Sequence, residues 1–386
     1  MKKENISVFL KKYTMVIVLV IITLFFTWKT GGRMLLPQNV NNLISQNAYV
    51  FVLATGMLLC ILTGGNIDLS VGSVVCFVGA VGGTCMVTKE MNVFVSILIM
   101  LISGLAIGVW QGFWIAYRRI PPFIVTLAGM LMFRGLSNIV LDGYTIAPMP
   151  EQYLMLFNSY IIDFFGGNGL NITCLLFGII TAALFVLITI RGRMAKIKKG
   201  YAVTAFRNDI IKCAFISIAV LAFTWRLAQY KGIPNILLWV VAIVLIYGYI
   251  TSKTTIGRHF YAIGGNEKAA QLSGINTNKV YFIAYANMGL LAAVAAMVTI
   301  ARLNSANPTA GDSYEMDAIG SCFIGGASAY GGSGTIPGVI IGATLMGVIN
   351  LGMSIMGVDA NWQKVVKGAV LLAAVIFDVE SKKRNS

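Results

Sequence analysis

Six polar side chains stand in otherwise apolar stretches of this sequence, and their chemistry suits one kind of ligand. They are Gln46, Asn47, Asp68, Ser70, Glu315 and Asp317. Carboxylates and amides can hydrogen-bond a neutral polyhydroxylated solute, whereas an acid in an apolar environment is costly unless it is paired or hydrated. We expect these residues to line a path for such a solute, with hydrogen bonding between packed helices as the structural alternative.

Two charged residues in apolar stretches have structural interpretations as well. Asp68 can cap a helix that begins at Leu69 by accepting backbone N–H groups, or it can contact the solute. Arg134 is predicted to be a structural residue that either points to an outer surface or binds the carbonyl groups at a helix end.

Catalytic and nucleotide-binding motifs are missing from the sequence. It has no G-x-x-x-x-G-K-[ST], no H-E-x-x-H and no G-x-S-x-G, and His259 is its single histidine. A chain without these motifs has no P-loop to cradle phosphates and no evident nucleophile or zinc site. We therefore expect no enzyme activity, no metal and no cofactor in this chain.

Composition indicates an integral membrane protein. Of its 386 residues, 58% are hydrophobic and 11% are charged, and the mean hydropathy is +0.81; soluble domains carry about 25% charged residues. The net charge of +15 would suit nucleic acid. However, the bases fall in short clusters between apolar runs, which is typical of cytoplasmic loops, so we expect the cell membrane and no nucleic acid.

Apolar runs of about 17–25 residues predict roughly twelve transmembrane helices in a single all-α domain over residues 1–386. The predicted spans are 14–28, 43–63, 70–88, 92–116, 123–141, 170–190, 213–230, 234–251, 280–301, 315–330, 336–353 and 362–379. The spans 213–230, which contains Arg226, and 315–330, which is short, are open to a re-entrant alternative. Gly-rich runs at 62–73 and 323–338 predict broken helices.

Loop charges orient the chain. Basic residues concentrate in the loops 191–212 and 252–279, which places these in the cytoplasm, whereas 142–169 has no base and is predicted to be extracytoplasmic. Both termini are then cytoplasmic, in agreement with the final Lys382, Lys383 and Arg384. The basic loop 191–212 can bind anionic lipid, but retention in the cytoplasm explains its charge without a ligand.

A polar run at 256–281 separates two spans and predicts a short helix. Gly264, Gly265 and Asn266 are predicted to break the preceding helix. Asn266 suits the N-cap of the short helix, Glu267 its first turn and Gly274 its left-handed end. Because so short a helix is marginal in water, it must pack on its own domain or in a groove of a partner.

Four runs in this order resemble one family. The runs ILTGGNIDLSVGS, GRHFYAIGGNEKAAQLSGI, ARLNSANPTAGDSYEMDAIGSCFIGGASAYGGSGTIPG and WQKVVKGAVLLAAVIFD are similar to the permease subunits of ribose/xylose-type ATP-binding-cassette sugar importers. The resemblance covers nearly the whole chain. The additional basic loop 191–212 and an additional pair of spans make its plan similar to xylose and multiple-sugar permeases.

The resemblance implies three protein partners. They are a second permease copy, a cytoplasmic subunit that binds ATP and Mg²⁺, and an extracytoplasmic sugar-binding protein; lipid surrounds the assembly. It also implies a coupling segment to the ATP-binding subunit, made of Gly264, Gly265, Asn266, Glu267, Ala269, Ala270 and Gly274. Lys268 stands where the family has an acid and Glu267 precedes it, so the role of Glu267 stays open.

The alternative function is a stand-alone proton-coupled sugar carrier. Such carriers keep an ionisable residue in the pathway, and Asp68 or Asp317 is available for that role. The segment 256–281 discriminates between the two functions because a solitary carrier does not need it.

Overall fold

The computed structural model describes residues 2–167, 169–201, 203 and 205–383. The terminal Arg384 and single positions in the loops 142–169 and 191–212 lie outside these residues. The described chain is helical, with isolated β-bridges at Ile146–Ala306 and Tyr160–Pro234. Its helices are α1 Lys2–Lys29, α2 Pro37–Leu62, α3 Val71–Gly83, α4 Val93–Ala116, α5 Pro122–Leu141, α6 Glu151–Phe157, α7 Ile172–Lys198, α8 Phe206–Ala228, α9 Asn235–Lys253, α10 Thr255–Gly265, α11 Glu267–Leu272, α12 Thr277–Leu303, α13 Tyr314–Ile324, α14 Ile336–Ile355 and α15 Ala360–Lys383.

Nine helical segments of the described chain are long and apolar enough to cross a membrane, which confirms an all-α, multi-pass protein. They are α2, α3 with its π-helical extension Thr84–Thr88, α4, α5, α7, α8, α9, α12 and α14. The doubtful span 213–230 lies almost entirely in α8, a continuous helix of 23 residues. The three other predicted spans fall on α1, α13 and α15, which do not meet that criterion.

The predicted span 315–330 contains a helix that is too short to cross a membrane. The helix α13 has 11 residues and ends at Ile324, so it rises about 16 Å, roughly half of a hydrocarbon core of about 30 Å. The chain then turns through Gly326, Gly331, Gly332 and Gly334, all with positive φ, before α14 begins. The segment therefore holds a half-length helix followed by a Gly-rich loop, as expected for a broken helix.

The second break separates α2 from α3. Residues 63–70 are not helical, and Gly64 and Gly65 have φ of 124° and 75°. Helix α3 then begins at Val71 against an irregular segment, where a Cβ on Gly72 would lie 2.2 Å from the Gly311 carbonyl oxygen. Both Gly-rich runs thus interrupt helices, as their composition predicts.

Two compact units make up the chain. The larger contains residues up to Met34, Leu43–Asn158 and residues from Ile236 onward. Its core is α12, which is buried along most of its length. Glycines let α4 approach α12 closely: a Cβ on Gly104 would lie 2.5 Å from the Gly289 carbonyl oxygen, and one on Gly108 2.5 Å from that of Tyr285. Small residues that bring backbones together stabilise such packing in membranes.

The smaller unit contains Leu35–Asn42 and Ser159–Asn235 and is built on the antiparallel pair α7 and α8. Asp163 fixes the loop before α7 by accepting hydrogen bonds from four backbone N–H groups, that of Phe165 at 3.2 Å and those of Gly167, Ile172 and Thr173 at 3.1 Å each. Desolvation raises the pKa of Asp163, but the hydrogen bonds that it accepts outweigh this and hold the pKa well below the usual carboxyl range.

Candidate functional site

The segment predicted to couple to a partner forms two short helices, α10 and α11. The Asn266 side chain accepts a hydrogen bond from the Ala269 N–H at 3.0 Å, and Gly274 has φ of +83° after the last turn of α11. These observations confirm Asn266 as the N-cap and Gly274 as the left-handed end. Gly264 and Gly265 form the last turn of α10, which ends there, and Asn266 separates it from α11, so the predicted break at Gly264, Gly265 and Asn266 is confirmed.

Gly264 is where three stretches of backbone meet. A Cβ on Gly264 would lie 1.9 Å from the Leu62 carbonyl oxygen at the end of α2 and 2.3 Å from the Gly332 nitrogen. The Gly332 N–H also donates to that Leu62 oxygen at 3.1 Å, and a Cβ on Gly331 would lie 2.5 Å from Gly64 Cα. The end of α10 therefore packs without side chains against both Gly-rich breaks.

Glu267 ties α11 to the rest of the larger unit. Its carboxylate accepts a hydrogen bond from Arg119 Nη1 at 2.7 Å. The Tyr281 hydroxyl lies 3.2 Å from Glu267 Oε2 and 3.0 Å from the Thr63 carbonyl oxygen, at the start of the first break. Arg119 Nη2 also donates to Thr277 Oγ1 at 2.9 Å. Glu267 thus holds α11 to the α4–α5 loop and to α12.

Two opposite faces of α11 have different surroundings. Ala270 is buried against its own unit, whereas Leu272 is 90% exposed and Ala269 is also exposed. Gly265 and Gly274 have no neighbouring atoms within 4 Å of an added Cβ. A short helix fixed on one face leaves the other face, with an exposed leucine, open to contact. The sequence alone predicts no role for Arg119, Tyr281 or Leu272. The coupling residues follow from the family resemblance, which points to Ala269, Ala270 and Gly274.

A cavity of about 320 Å³ lies among α2, α12 and α13 and is lined by Gln46, Tyr49, Thr299, Arg302 and Tyr314 with their neighbours. The rings of Tyr49 and Tyr314 stack with centroids 3.5 Å apart and planes 11° apart. Gln46 is exposed at this cavity. The cavity thus combines an aromatic pair with amide, hydroxyl and guanidinium groups, which is the kind of lining that binds a small polar ligand.

Asp317 lies behind that aromatic pair and is fully buried in an ion pair. Its Oδ2 accepts hydrogen bonds from the Tyr49 hydroxyl at 2.5 Å and from Lys367 Nζ at 2.8 Å. Asn350 Nδ2 lies 3.5 Å from the same oxygen and 3.4 Å from Asn47 Oδ1. The cost of burying this acid is offset by Lys367 from α15, a partner far away in sequence that no spacing rule identifies.

Asp68 and Ser70 form a separate cluster. Asp68 Oδ1 accepts hydrogen bonds from Ser70 N at 2.8 Å and Ser70 Oγ at 2.6 Å, and Gln111 Nε2 donates to Ser70 Oγ at 2.7 Å. Helix α3 begins at Val71 with Ser70 at its N-cap, so a helix start at Leu69 is wrong. Asp68 instead stabilises the turn that leads into α3.

The last two charged residues of the prediction contact the segment before α13 or the start of α3. A Cβ on Gly72 would lie 2.5 Å from Glu315 Oε2, which places this carboxylate at the first turn of α3. Arg134 Nη1 donates to the carbonyl oxygens of Pro308 and Ala310 at 3.1 and 2.8 Å. Arg134 therefore binds backbone carbonyls, as one of its two interpretations expects, although they belong to an irregular segment. Of the six residues predicted to line a path, Gln46 lines the cavity. Asp317 is linked to it through Tyr49, and Asn47 contacts Asn350 beside Asp317; Asp68, Ser70 and Glu315 do not line it.

The chain matches one protein family and is similar to several transport permeases. The family model described as "Branched-chain amino acid transport system / permease component" matches residues 39–194 and 152–375. The xylose transport system permease protein XylH of Escherichia coli (strain K12) is 38% identical over 385 residues, 100% of this chain and 95% of that protein. XylH of Haemophilus influenzae is 39% identical over 379 residues, 98% of each chain.

The ribose import permease protein RbsC of Escherichia coli (strain K12) is 34% identical over 342 residues, 88% of this chain and 85% of that protein. No solved structure matches the chain.

The contact at Gly264 predicts different outcomes for neighbouring substitutions. Gly264→Ala should lower the free energy of unfolding of the purified full-length chain by about 1–3 kcal/mol, because the methyl group would overlap the Leu62 carbonyl. Gly265→Ala, whose methyl group meets no atom within 4 Å, should leave stability unchanged or raise it by up to about 1 kcal/mol. Thermal unfolding in detergent measures both. Equal stability of the two variants would show that the backbones do not meet as described.

Proposed function

Because the chain belongs to the family of branched-chain amino acid transport system permease components, we propose that it is the membrane-spanning permease subunit of an ATP-binding-cassette importer that carries a monosaccharide, xylose or a related aldose. The observation that carries the proposal is the similarity to XylH over the whole chain. The protein is a multi-pass protein of the inner membrane. It does not itself hydrolyse ATP in this proposal, since the sequence has no P-loop.

The proposal includes three partners. A cytoplasmic subunit binds ATP and Mg²⁺, an extracytoplasmic protein delivers the sugar, and a second copy of this chain completes the pathway. We place the binding protein on the outer surface, including 142–169 and 302–314; cross-links found only on the cytoplasmic loops would contradict this placement. Surrounding lipid completes the environment of the assembly.

We also propose about twelve crossings with both termini in the cytoplasm. The irregular segment before α13 supplies the missing half of one crossing. A Cβ on Gly83 would lie 2.7 Å from Ala306 Cβ and one on Gly72 2.2 Å from the Gly311 oxygen, so this segment runs alongside about 16 Å of α3. Together with the roughly 16 Å of α13 it spans a bilayer; side-specific labelling of cysteines placed at Asn304 and Gly326 tests this.

The remaining two crossings are assigned to α1 and α15. Their support is the charge at the two ends of the chain: with these crossings, Lys2–Lys3 and Lys382–Lys383 lie on the same side as the exposed bases of the α7–α8 turn, α10 and α11. The loop 142–169 lies on the other side. The basic loop 191–212 and the coupling loop 252–279 are therefore both cytoplasmic in this proposal.

In the proposed mechanism, α11 docks in a groove of the ATP-binding subunit. A partner shifts a conformational equilibrium only when it binds the two states differently. Leu272 and Ala269 are on the exposed face that is available to the partner, while Ala270 and Glu267 hold the helix to its own unit. Movement of α11 is passed through Tyr281 to Thr63 and through Gly264 to Gly332, at the two broken helices, as well as to α9 and α12, which flank the segment.

The six polar residues of the pathway prediction take two roles in this proposal. Gln46 contacts the sugar directly in the cavity, with Asn47 and Asp317 supporting the cavity through Asn350 and Tyr49. Asp68, Ser70 and Glu315 set the broken start of α3, where they contact a sugar only after the pathway opens. A structural role alone, as hydrogen-bonding groups between helices, is the alternative for each of them.

The energy source tests the proposed function. Uptake of labelled D-xylose by cells that carry this gene should survive an ionophore and stop when ATP is depleted, with ribose, galactose and arabinose as competitors that rank the substrate. Cells without the gene give the background. Uptake that an ionophore abolishes while ATP is maintained would instead indicate a proton-coupled carrier and would remove the proposed role of the segment 256–281.

The turn at Gly274 tests the coupling role. Gly274→Leu should abolish ATP-driven uptake while the protein still inserts, because a leucine at φ +83° costs about 1–2 kcal/mol and distorts the end of α11. Gly357→Leu is the matched control, since Gly357 has φ +71°, also has open space around it and lies between α14 and α15. It should keep most of its uptake. Wild-type uptake by Gly274→Leu would refute the coupling role.

The cavity predicts an effect of Gln46 on the maximal rate. Gln46→Ala should lower the maximal uptake rate about fivefold, the loss of one hydrogen bond of about 1 kcal/mol. The half-saturating sugar concentration should stay the same because the binding protein captures the sugar first. Asn138→Ala, which removes an exposed amide from α5, should transport normally. An unchanged rate for Gln46→Ala would remove this residue from the pathway.

A further inference from the structure

The α7–α8 pair is tightly packed at one end and open at the other. A Cβ on Gly178 would lie 2.2 Å from Thr224 Oγ1, and Cys174 Sγ lies 3.4 Å from the Thr224 carbonyl oxygen. The buried residues of both helices are confined to this end: Cys174, Gly178, Ala182, Thr224, Leu227 and Ala228. The tight packing therefore does not extend to the turn that joins the two helices.

An apolar groove of about 290 Å³ lies between α7 and α8 in the half nearer the turn. It is lined by Val186, Ile190, Ile210, Cys213 and Ala214 with their neighbours. Its end near the turn is closed by an ion pair between Arg193 and Asp209, and the Arg193 guanidinium lies 5.3 Å from the centre of the Phe206 ring. The groove is thus apolar along its length and charged at its mouth.

The turn beyond the groove is strongly basic. Residues 191–212 contain seven bases and one acid, Asp209. The bases are Arg191, Arg193, Lys196, Lys198, Lys199, Arg207 and Lys212, and all of them except Arg193 are exposed. Exposed apolar side chains are interleaved among them, including Ile197, Tyr201 and Phe206. Such a mixture is typical of a surface that meets lipid headgroups.

The rise along α7 places the basic residues and the groove at two depths of the same leaflet. Helix α7 begins at Ile172, and the 19 residues from there to Ile190 rise about 28 Å, close to the thickness of a hydrocarbon core. Arg191 and Arg193 then lie at headgroup level, and Val186 and Ile190 lie just inside the acyl region.

We propose that the inner half of the α7–α8 pair binds an anionic phospholipid of the cytoplasmic leaflet. The bases around the turn hold the headgroup phosphate, and one acyl chain occupies the groove between the helices. Retention of a basic loop in the cytoplasm explains the charge but not the apolar groove that lies next to it in the same leaflet. A protein partner could use the basic turn, but it would leave the groove, which lies at acyl depth, without an occupant.

Binding of defined lipids to the purified full-length chain tests this site. In neutral detergent, dioleoylphosphatidylglycerol should bind more tightly than dioleoylphosphatidylcholine, and the difference should shrink with added salt. A Lys196→Gln, Lys199→Gln, Arg207→Gln variant should weaken phosphatidylglycerol binding about a hundredfold, since each base near an anionic headgroup contributes about fivefold. Native mass spectrometry measures the bound lipid and its dissociation constant.

Two further variants separate the groove from the charge. Ala214→Trp fills the groove and should weaken phosphatidylglycerol binding about tenfold while its salt dependence persists. Lys231→Gln removes an exposed base at the other end of α8 and should bind as the wild type does. Matching thermal unfolding curves establish that the variants are folded; if Ala214→Trp does not fold, the charge series decides.

Two results would overturn the proposal. One is equal binding of phosphatidylglycerol and phosphatidylcholine by the wild type. The other is unchanged phosphatidylglycerol binding by the folded triple-charge variant; if that variant also fails to bind the ATP-binding subunit, the basic turn is assigned to a protein partner.

Discussion

One backbone contact joins the two broken helices to the end of α10. The Gly332 N–H donates a hydrogen bond to the Leu62 carbonyl oxygen, and Gly264 packs against both residues. The contact is made by backbone atoms of three chain segments, and Gly264 and Gly332 have no side chain to keep these segments apart. Two of the segments are the breaks in membrane helices, and the third is the end of α10 next to α11. In the proposed coupling mechanism, a force on α11 would reach both breaks through backbone, which yields less than flexible side chains do.

The acidic side chains in and near the membrane segments are each stabilised by different partners. Asp317 is paired with Lys367 and hydrogen-bonded by Tyr49, Asp68 accepts hydrogen bonds within its own turn, and Glu267 at the membrane edge is paired with Arg119. The first is a buried ion pair, in which the loss of one partner would leave a charge in apolar surroundings.

Local signals in the sequence predicted much of the fold. The apolar runs gave nine of the helices that can cross a membrane, and the cap at Asn266 and the stop at Gly274 depend only on neighbouring residues. What failed required knowledge of distant contacts. A period of 3.6 residues fixes the face of a helix but not its neighbour, so Lys367 could not be matched to Asp317, nor Arg119 to Glu267. The half-length of α13 was hidden because small residues after Ile324, including Ala327 and Ala329, extend its apolar run toward the length of a span.

In the proposed topology, the crossing made of residues 304–313 and α13 has a mechanical consequence. Its outer half is irregular and includes Pro308, which has no N–H to contribute to a helix. The Arg134 guanidinium donates to the carbonyl oxygens of Pro308 and Ala310 in this half. Its inner half is the rigid helix α13. A crossing built this way has a stiff section joined in series to a compliant one, so α13 can be displaced along its axis while the irregular half lengthens or shortens. A continuous helix of the same span would have to move as a whole.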